Sequence, residues 1–361
     1  MTAKLFAAAT LRRTRGGFTL TELLVSVFVV TIIVLMIAQL MSSATTVTRT
    51  GNKHISADTE GRTVLDRMAL DFAQMVKRTD VDYYIKGPTN YTGHGNGHGW
   101  GRGIGTGQLG SDQIAFFSQV PGYYPSDVTG EKSPISLIAY RVNQGDPGNP
   151  DYLRLQRMAK GLRWNAVDTS TNQNTATYPI IFLPQTIGGV GRPWAPAINN
   201  NSTCGTGNNN SCDDAYETIG PGVFRFEYYY LLKNGRLTDV PWDRYVRPDQ
   251  TTLTDPEQIG LTDIEAIGVT IAVIDPGSRA LINAASPNSL LDLVSDLADF
   301  ATARGRGVGN QTRYIGMMEA EWNSTIETVA STGQTSSGSP VPPEAAKAIR
   351  VYTRYFDFKS L

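Results

Sequence analysis

The chain is 361 residues long, 40% of them hydrophobic and 18% charged, with a formal net charge of −1. This near-neutral balance excludes the strongly basic signature of many nucleic-acid-binding proteins, and we predict no nucleic-acid partner. The length suffices to bury a substantial core, and 36 glycines together with asparagine-rich segments indicate a β-rich domain with long loops.

The first predicted element is a membrane-spanning helix behind a basic leader. Phe18 begins a run of about 24 almost wholly apolar residues, directly after Gly16 and Gly17. As a helix rising about 1.5 Å per residue, this run crosses a hydrocarbon core of about 30 Å. The leader carries four cations and no acidic residue: Lys4, Arg12, Arg13 and Arg15. Such cations predict a cytoplasmic N-terminus, with the bulk of the chain outside the cytoplasm.

Glu22 is the one carboxylate inside this apolar run. An ionisable group there is costly unless it is paired or lies near the interface, so Glu22 is a functional-site hypothesis. The alternative is that its side chain extends to the lipid headgroups. A secretory signal peptide fits poorly, because its cleavage site follows a shorter apolar region. A plain membrane anchor leaves the order G-G-F-T-L-T-E-L unexplained.

That order resembles the processing motif of type IV prepilins and type II secretion pseudopilins. The resemblance spans residues 15–40 and includes Gly17, Phe18 and Glu22. It implies that a prepilin peptidase cuts between Gly17 and Phe18 and methylates the new amine of Phe18. It also implies assembly with other pilin or pseudopilin subunits, in which Glu22 meets the Phe18 ammonium of a neighbour. Because each charge alone is expensive in an apolar core, such a pair would fix register more than add stability.

Helical spacing returns after a Ser/Thr-rich stretch beyond Met41. Apolar residues recur at steps of three and four: Val64, Leu65, Met68, Phe72, Met75 and Val76. This stripe predicts an amphipathic helix that packs on a sheet. We therefore predict one long helix ending near Arg78, bent or interrupted near Gly51 and Gly61.

Residues 87–110 form a predicted glycine-rich surface loop containing two weak motifs. His94 and His98 are four residues apart, but the glycines around them disfavour a rigid helical metal site. Residues 105–110 spell G-x-G-x-x-G without the preceding strand and following helix of a dinucleotide site. We predict neither a metal nor a cofactor here.

Most of the remaining chain has strand patterns. Alternating, β-branched and aromatic residues predict strands at 112–120, 137–142, 152–158, 178–183, 222–232, 263–275 and 351–358. Residues 144–150 and the Asn234-Gly235 pair predict hairpin turns. Helix-like spacing covers residues 288–301. A Ser/Gly/Pro-rich linker at 331–343 leads to a short helix at 343–349, ahead of the terminal strand.

The two cysteines, Cys204 and Cys212, flank a Gly/Asn-rich segment. Outside the cytoplasm, this spacing predicts a disulfide, with free thiols as the alternative. No histidine lies near enough in sequence to suggest zinc. Asp213 and Asp214 raise the question of calcium, but the regular ligand spacing of a calcium loop is missing, which favours a solvated loop.

A second resemblance concerns the C-terminal half. A strand with paired aromatics, a tight turn, Trp242 and the pattern I-x-A-I-x-V-T-I at 264–271 together resemble J-type minor pseudopilins. The set also resembles the large prepilin-like proteins called Verru_Chthon cassette protein C. The J-type resemblance implies a minor subunit.

Together these observations predict an α+β fold, with a long N-terminal transmembrane and amphipathic helix packed on an antiparallel, β-rich, pilin-like globular domain. The predicted parts are a leader at 1–17, a transmembrane helix at 18–41, its amphipathic continuation at 42–80, and an extracytoplasmic domain at 81–361. The N-terminus would be cytoplasmic and the globular domain periplasmic or extracellular.

The predicted function is structural. The chain would be a minor pilin or pseudopilin that resides in the inner membrane before it assembles into a type IV pilus-like filament or a type II secretion pseudopilus. The alternative is an adhesin-like tip subunit that binds a surface through its long loops. An enzyme is disfavoured, because the sequence offers no Ser/His/Asp order, no metal-ligand cluster and no phosphate loop in context.

Overall fold

The computed structural model describes residues 19–77, 83–86, 91–94, 103–104, 111–123, 132–144, 147–163, 215–238, 264–300 and 313–358. Several predicted features lie outside these residues: Gly17, Phe18, His98, the motif at 105–110, the strand at 178–183, Cys204, Cys212, Asp213, Asp214 and Trp242. The chain divides into two compact units, Met1–Asn52 and Lys53–Leu361.

The predicted long N-terminal helix is confirmed as α1, Leu20–Ala73, which is 54 residues long and ends five residues before the predicted Arg78. The predicted interruption is wrong, since both Gly51 and Gly61 are helical. A Cβ at Gly61 would lie 2.8 Å from the ring of Tyr352, so this glycine permits close packing of α1. Glycine inside a helix costs only about 1 kcal/mol relative to alanine, which a long helix tolerates.

In the first unit, the apolar part of α1 is exposed along its length. Leu20–Thr45, 26 residues long, is the one segment in the described part of the chain that is long and apolar enough to cross a membrane. Its large hydrophobic side chains are exposed, as expected of a segment whose solvent is lipid or neighbouring subunits.

In the second unit, the predicted amphipathic stripe packs as expected. Val64, Leu65, Met68, Phe72 and Met75 are buried. The Phe72 ring lies 4.9 Å from the ring of Phe116 and 5.1 Å from that of Phe356. Since these two rings belong to different sheets, the C-terminal part of α1 packs on both.

The described strands form three antiparallel sheets. One has the order β1-β2-β3 and consists of β1 (Tyr83–Lys86), β2 (Tyr91–His94) and β3 (Gly103–Ile104). His94 thus ends a strand. A four-stranded meander consists of β4 (Gln113–Ser118), β5 (Lys132–Val142), β6 (Leu155–Arg163) and β7 (Tyr216–Gly220).

The other four-stranded sheet has the order β11-β10-β8-β9. Its strands are β8 (Val223–Leu232), β9 (Leu237–Thr238), β10 (Ile264–Val273) and β11 (Arg350–Asp357). β8 and β9 form the predicted hairpin, with Gly235 at a φ of 79°. The terminal strand β11 pairs with β10 along its whole length. The two four-stranded sheets meet at β8, where the backbone N–H of Asp112 donates to the carbonyl of Phe226 over 2.8 Å.

Four further helices complete the described fold: α2 (Pro276–Ala285), α3 (Ser289–Asp296), α4 (Met317–Thr332) and α5 (Pro343–Ala346). The predicted helix at 288–301 corresponds to α3 and ends earlier. The predicted short helix likewise ends at Ala346. Neither α2 nor α4 was predicted.

The predicted linker at 331–343 is an ordered connection instead. Its first residues complete α4, and Gly333 caps the end of that helix with a φ of 74°. The segment that follows then bonds to α3, because the hydroxyls of Ser336 and Ser339 donate to Asp296 and Asp292. Composition alone suggested flexibility, but these hydroxyls find acceptors on a neighbouring helix.

Candidate functional site

The apolar helix begins with a reciprocal hydrogen-bond motif between Thr19 and Glu22. The backbone N–H and the hydroxyl of Thr19 both donate to Oε2 of Glu22, each over 2.9 Å. In return, the backbone N–H of Glu22 lies 3.3 Å from the Thr19 hydroxyl oxygen. This is a capping box, which satisfies backbone N–H groups that a helix start leaves without partners.

The capping box was missed from sequence, although its signal was there. A serine or threonine followed three residues later by glutamate, just before an apolar run, is the signature of this motif. Thr19 and Glu22 have that spacing. The carboxylate therefore has a local role in addition to any role between subunits.

The capping box also fixes where the carboxylate lies. Oε2 of Glu22 is 2.9 Å from the amide nitrogen that joins Thr19 to Phe18. Oε1 has no hydrogen bond among the residues that the structure describes. The side chain is thus folded back toward the chain start, with one oxygen available to a cation.

Three other polar side chains in this segment form hydrogen bonds within the helix. The hydroxyls of Ser26, Thr31 and Thr45 donate to carbonyls one turn earlier, over 2.7 to 2.8 Å. Such bonds satisfy these three hydroxyl donors without water, as a lipid surrounding requires. Glu22 is the only charged side chain from Leu20 to Thr45, which makes it the chemically distinct group of the segment.

A second cluster of charged groups lies inside the sheet domain. Ligand atoms of Asp112, Glu227 and Asp299 all lie within 4.8 Å of one another. Arg225 is fully buried beside them, with a guanidinium nitrogen 2.6 Å from Asp299 and 3.2 Å from Glu227. The guanidinium supplies the positive charge that a metal ion would bring. We therefore assign a structural role to this cluster, which stabilises β8, the strand that carries Arg225 and Glu227.

Comparison with known proteins gives one match. Residues 12–38 match the family model of the prokaryotic N-terminal methylation motif. This match contains Gly17, Phe18 and Glu22, and it fits the type IV prepilin and pseudopilin family. No curated protein and no solved structure matches the chain.

Proposed function

From the methylation motif and the capped Glu22, we propose that this chain is a minor pilin or pseudopilin subunit. A prepilin peptidase would cut it between Gly17 and Phe18, and its apolar helix would carry it into a type IV pilus-like filament or a type II secretion pseudopilus. Before assembly it would lie in the inner membrane, with the globular domain periplasmic or extracellular. The observation that carries the proposal is the single carboxylate held at the start of an exposed apolar helix.

Cleavage gives that carboxylate a partner. Cutting after Gly17 leaves a free ammonium on Phe18, next to Thr19, the residue that caps the helix. In a filament, Glu22 of one subunit would pair with the Phe18 ammonium of its neighbour. An unpaired charge in an apolar surrounding is strongly unfavourable, so only a register that brings the two groups together would be stable.

The size of the globular domain supports a minor role. With 361 residues and long Gly/Asn-rich segments, the chain would crowd a densely packed shaft built from many copies. The proposed function is tested by immunogold labelling and mass spectrometry of sheared surface filaments. We expect a low-abundance subunit whose first residue is methylated Phe18.

Replacing Gly17 with valine is expected to block processing. A branched side chain beside the scissile bond would crowd the peptidase site, so the full-length precursor should accumulate in the membrane. Intact-mass measurement of the purified protein distinguishes the precursor from a chain that begins at Phe18. Gly16→Val is the matched control and should still be cut. A mature species that begins at any other residue would show that the proposed cleavage site is wrong.

We also predict a disulfide between Cys204 and Cys212. Protein isolated without reductant should give a tryptic peptide pair joined through both residues. Since the closed loop spans only about nine residues, loss of the bridge should lower the free energy of unfolding by about 2.5 kcal/mol at most. Labelling of both cysteines by a thiol reagent in native protein would contradict the bridge.

A further inference from the structure

A cleft of about 690 Å³ opens at one end of the sheet domain. It lies where the β5–β6 connection, the β7–β8 turn and the helix α2 meet. Its volume falls within the range of about 300–1,000 Å³ that is usual for small-ligand sites. Nothing in the proposed assembly role uses this cleft.

The wall of the cleft is rich in proline. Five prolines line it: Pro147, Pro150, Pro221, Pro276 and Pro287. Proline fixes its own φ, so these segments have little freedom to collapse into the cleft. Leu153, also in the wall, has a φ of 53°, the only positive value at a non-glycine among the described residues. Strained positions of this kind concentrate at ligand sites, where the surrounding structure holds them.

Arg279 holds two sides of the cleft together. Its guanidinium donates to the carbonyl of Pro221 over 2.9 Å and to the carbonyls of Tyr152 and Leu153 over 2.9 and 2.7 Å. These acceptors are neutral, so they satisfy its N–H groups without cancelling its charge. Burial lowers the pKa of Arg279, and repulsion by Arg154 lowers it further, to about 10. The carboxylate of Glu60 opposes this shift with a weaker effect.

Arg154 adds a second positive charge to the lining. Its side chain makes no hydrogen bond within the described part of the chain, and its Nε is buried without an acceptor. Oδ1 of Asp151 lies 4.0 Å from its terminal nitrogen, and the two side chains are 41% and 35% exposed. A pair that is this long and this exposed is weak. The guanidinium of Arg154 is therefore available to a ligand.

Glu60 is the other carboxylate near the two arginines. It accepts a hydrogen bond from the backbone N–H of Gly222, on the β7–β8 turn. Burial raises the pKa of Glu60, against the opposing effects of its backbone hydrogen bonds and of both arginines. Glu60 itself is not among the residues that line the cleft, and the described lining includes both arginines but no carboxylate, which gives it a positive balance.

We propose that this cleft binds a carboxylate group, which Arg154 contacts and whose charge Arg279 helps to balance. The flat fork of a guanidinium matches a carboxylate in two parallel hydrogen bonds. The prolines, Tyr152 and Leu153 offer apolar surface to the body that carries the group. Two sources share this chemistry: the C-terminal end of a polypeptide and a small organic acid.

The test is calorimetric titration of the full chain in neutral detergent micelles. One probe is benzoate, and the others are a short Leu/Pro peptide with a free C-terminal carboxylate and the same peptide as its amide. We expect at least one acid to bind and the amide not to bind. Arg154→Gln should weaken binding about tenfold or more, since a hydrogen bond to a charged group is lost. Arg236→Gln, at an exposed arginine of the β8–β9 turn, is the control and should bind as wild type does.

The two acids distinguish the sources. Binding of the peptide acid with weaker or absent binding of benzoate supports a polypeptide end, and the converse supports a small acid. Equal binding of the amide, unchanged binding by Arg154→Gln, or no binding of either acid would overturn the proposal. Unchanged unfolding of Arg154→Gln in urea confirms that a loss of binding is not a loss of fold. Filament incorporation of this variant should be normal, so failure of this proposal is distinguishable from failure of the assembly role.

Discussion

Replacing Glu22 with glutamine is expected to leave the chain processed and inserted in the membrane, yet absent from filaments. Glutamine serves a capping box as glutamate does, so the contacts with Thr19 should persist. The negative charge alone is lost. The Phe18 ammonium of the neighbouring subunit would then be buried without a partner, and the filament-bound fraction should fall by about a hundredfold or more.

The measurement compares a membrane fraction with a sheared-filament fraction on the same blot. Glu22→Ala removes both the charge and the carboxylate's half of the capping box, and should also fail to assemble. Its insertion should not suffer, because removing a charge eases the partitioning of an apolar helix. Thr31→Val is the matched control. Its hydroxyl bonds only to the carbonyl of Val27 within the same helix, so assembly should be normal.

Thr19→Ala is the complementary variant, because it weakens the cap and keeps the negative charge of Glu22. It removes the hydroxyl that bonds Glu22 but keeps the carboxylate and the backbone N–H of Thr19. A weaker cap frays the first turn, so we expect a partial loss of assembly. Equal filament signals for Glu22→Gln and wild type would rule out the pairing role and leave the carboxylate as a helix cap alone.

Sequence patterns predicted the elements that have a strong local signal. The apolar stripe marked the packed face of α1, the Asn-Gly pair marked the β8–β9 hairpin, and aromatic and β-branched residues marked the terminal strand. The start of β6 was less accurate. The prediction began it at Tyr152, but Tyr152 and Leu153 belong to the turn before the strand. The positive φ of Leu153 is incompatible with extended backbone, so β6 begins only after it.

The two missed helices had signals of different strength. In α4, buried side chains follow the helical repeat: Met318, Trp322, Ile326 and Val329. This spacing favours a helix and is visible in the sequence. α2 is short, and its start depends on Asp275, whose carboxylate accepts from the backbone N–H groups of Gly277 and Ser278. A lone Asp-Pro pair after a strand is also typical of a turn, so the helix could not be distinguished from sequence.

The chemistry of the domain interior depends on pairings that no local pattern encodes. The proposed cleft joins Tyr152, Pro221 and Arg279, which are far apart in sequence. Asp71 of α1 and Arg157 of β6 are likewise separated by 86 residues. A buried aspartate on an apolar helix face is a hint, but only the fold identifies its partner.

That partnership supports the prediction with the largest effect on stability. Asp71 is fully buried, and it accepts from Nε of Arg157 over 2.6 Å and from a terminal nitrogen over 3.0 Å. The hydroxyl of Tyr140 donates to the same carboxylate. Burial, and then the nearby charge of Asp71, raise the pKa of Tyr140 well above its ordinary value, so this hydroxyl remains a donor.

Replacing Asp71 with alanine is expected to lower the free energy of unfolding by about 3–5 kcal/mol, because the guanidinium of Arg157 would remain buried without its counter-charge. Urea unfolding of the full chain in micelles, followed by tryptophan fluorescence, measures this loss. Asp66→Ala is the matched control on the same helix. Its carboxylate pairs with Arg354 while 71% exposed, so its removal should cost at most about 1 kcal/mol.

The double variant Asp71→Ala with Arg157→Met tests the origin of the loss. If the cost comes from an uncompensated charge, removing that charge should restore part of the stability, and the two changes should not add. If the cost comes instead from lost packing, the double variant should be less stable than either single one. The first outcome is expected, because the bidentate contact between Asp71 and Arg157 joins α1 to β6 across the core. The amphipathic half of α1 would then be held on its sheet by two kinds of interaction, an apolar stripe that sets its face and a buried ion pair that sets its position along the strand.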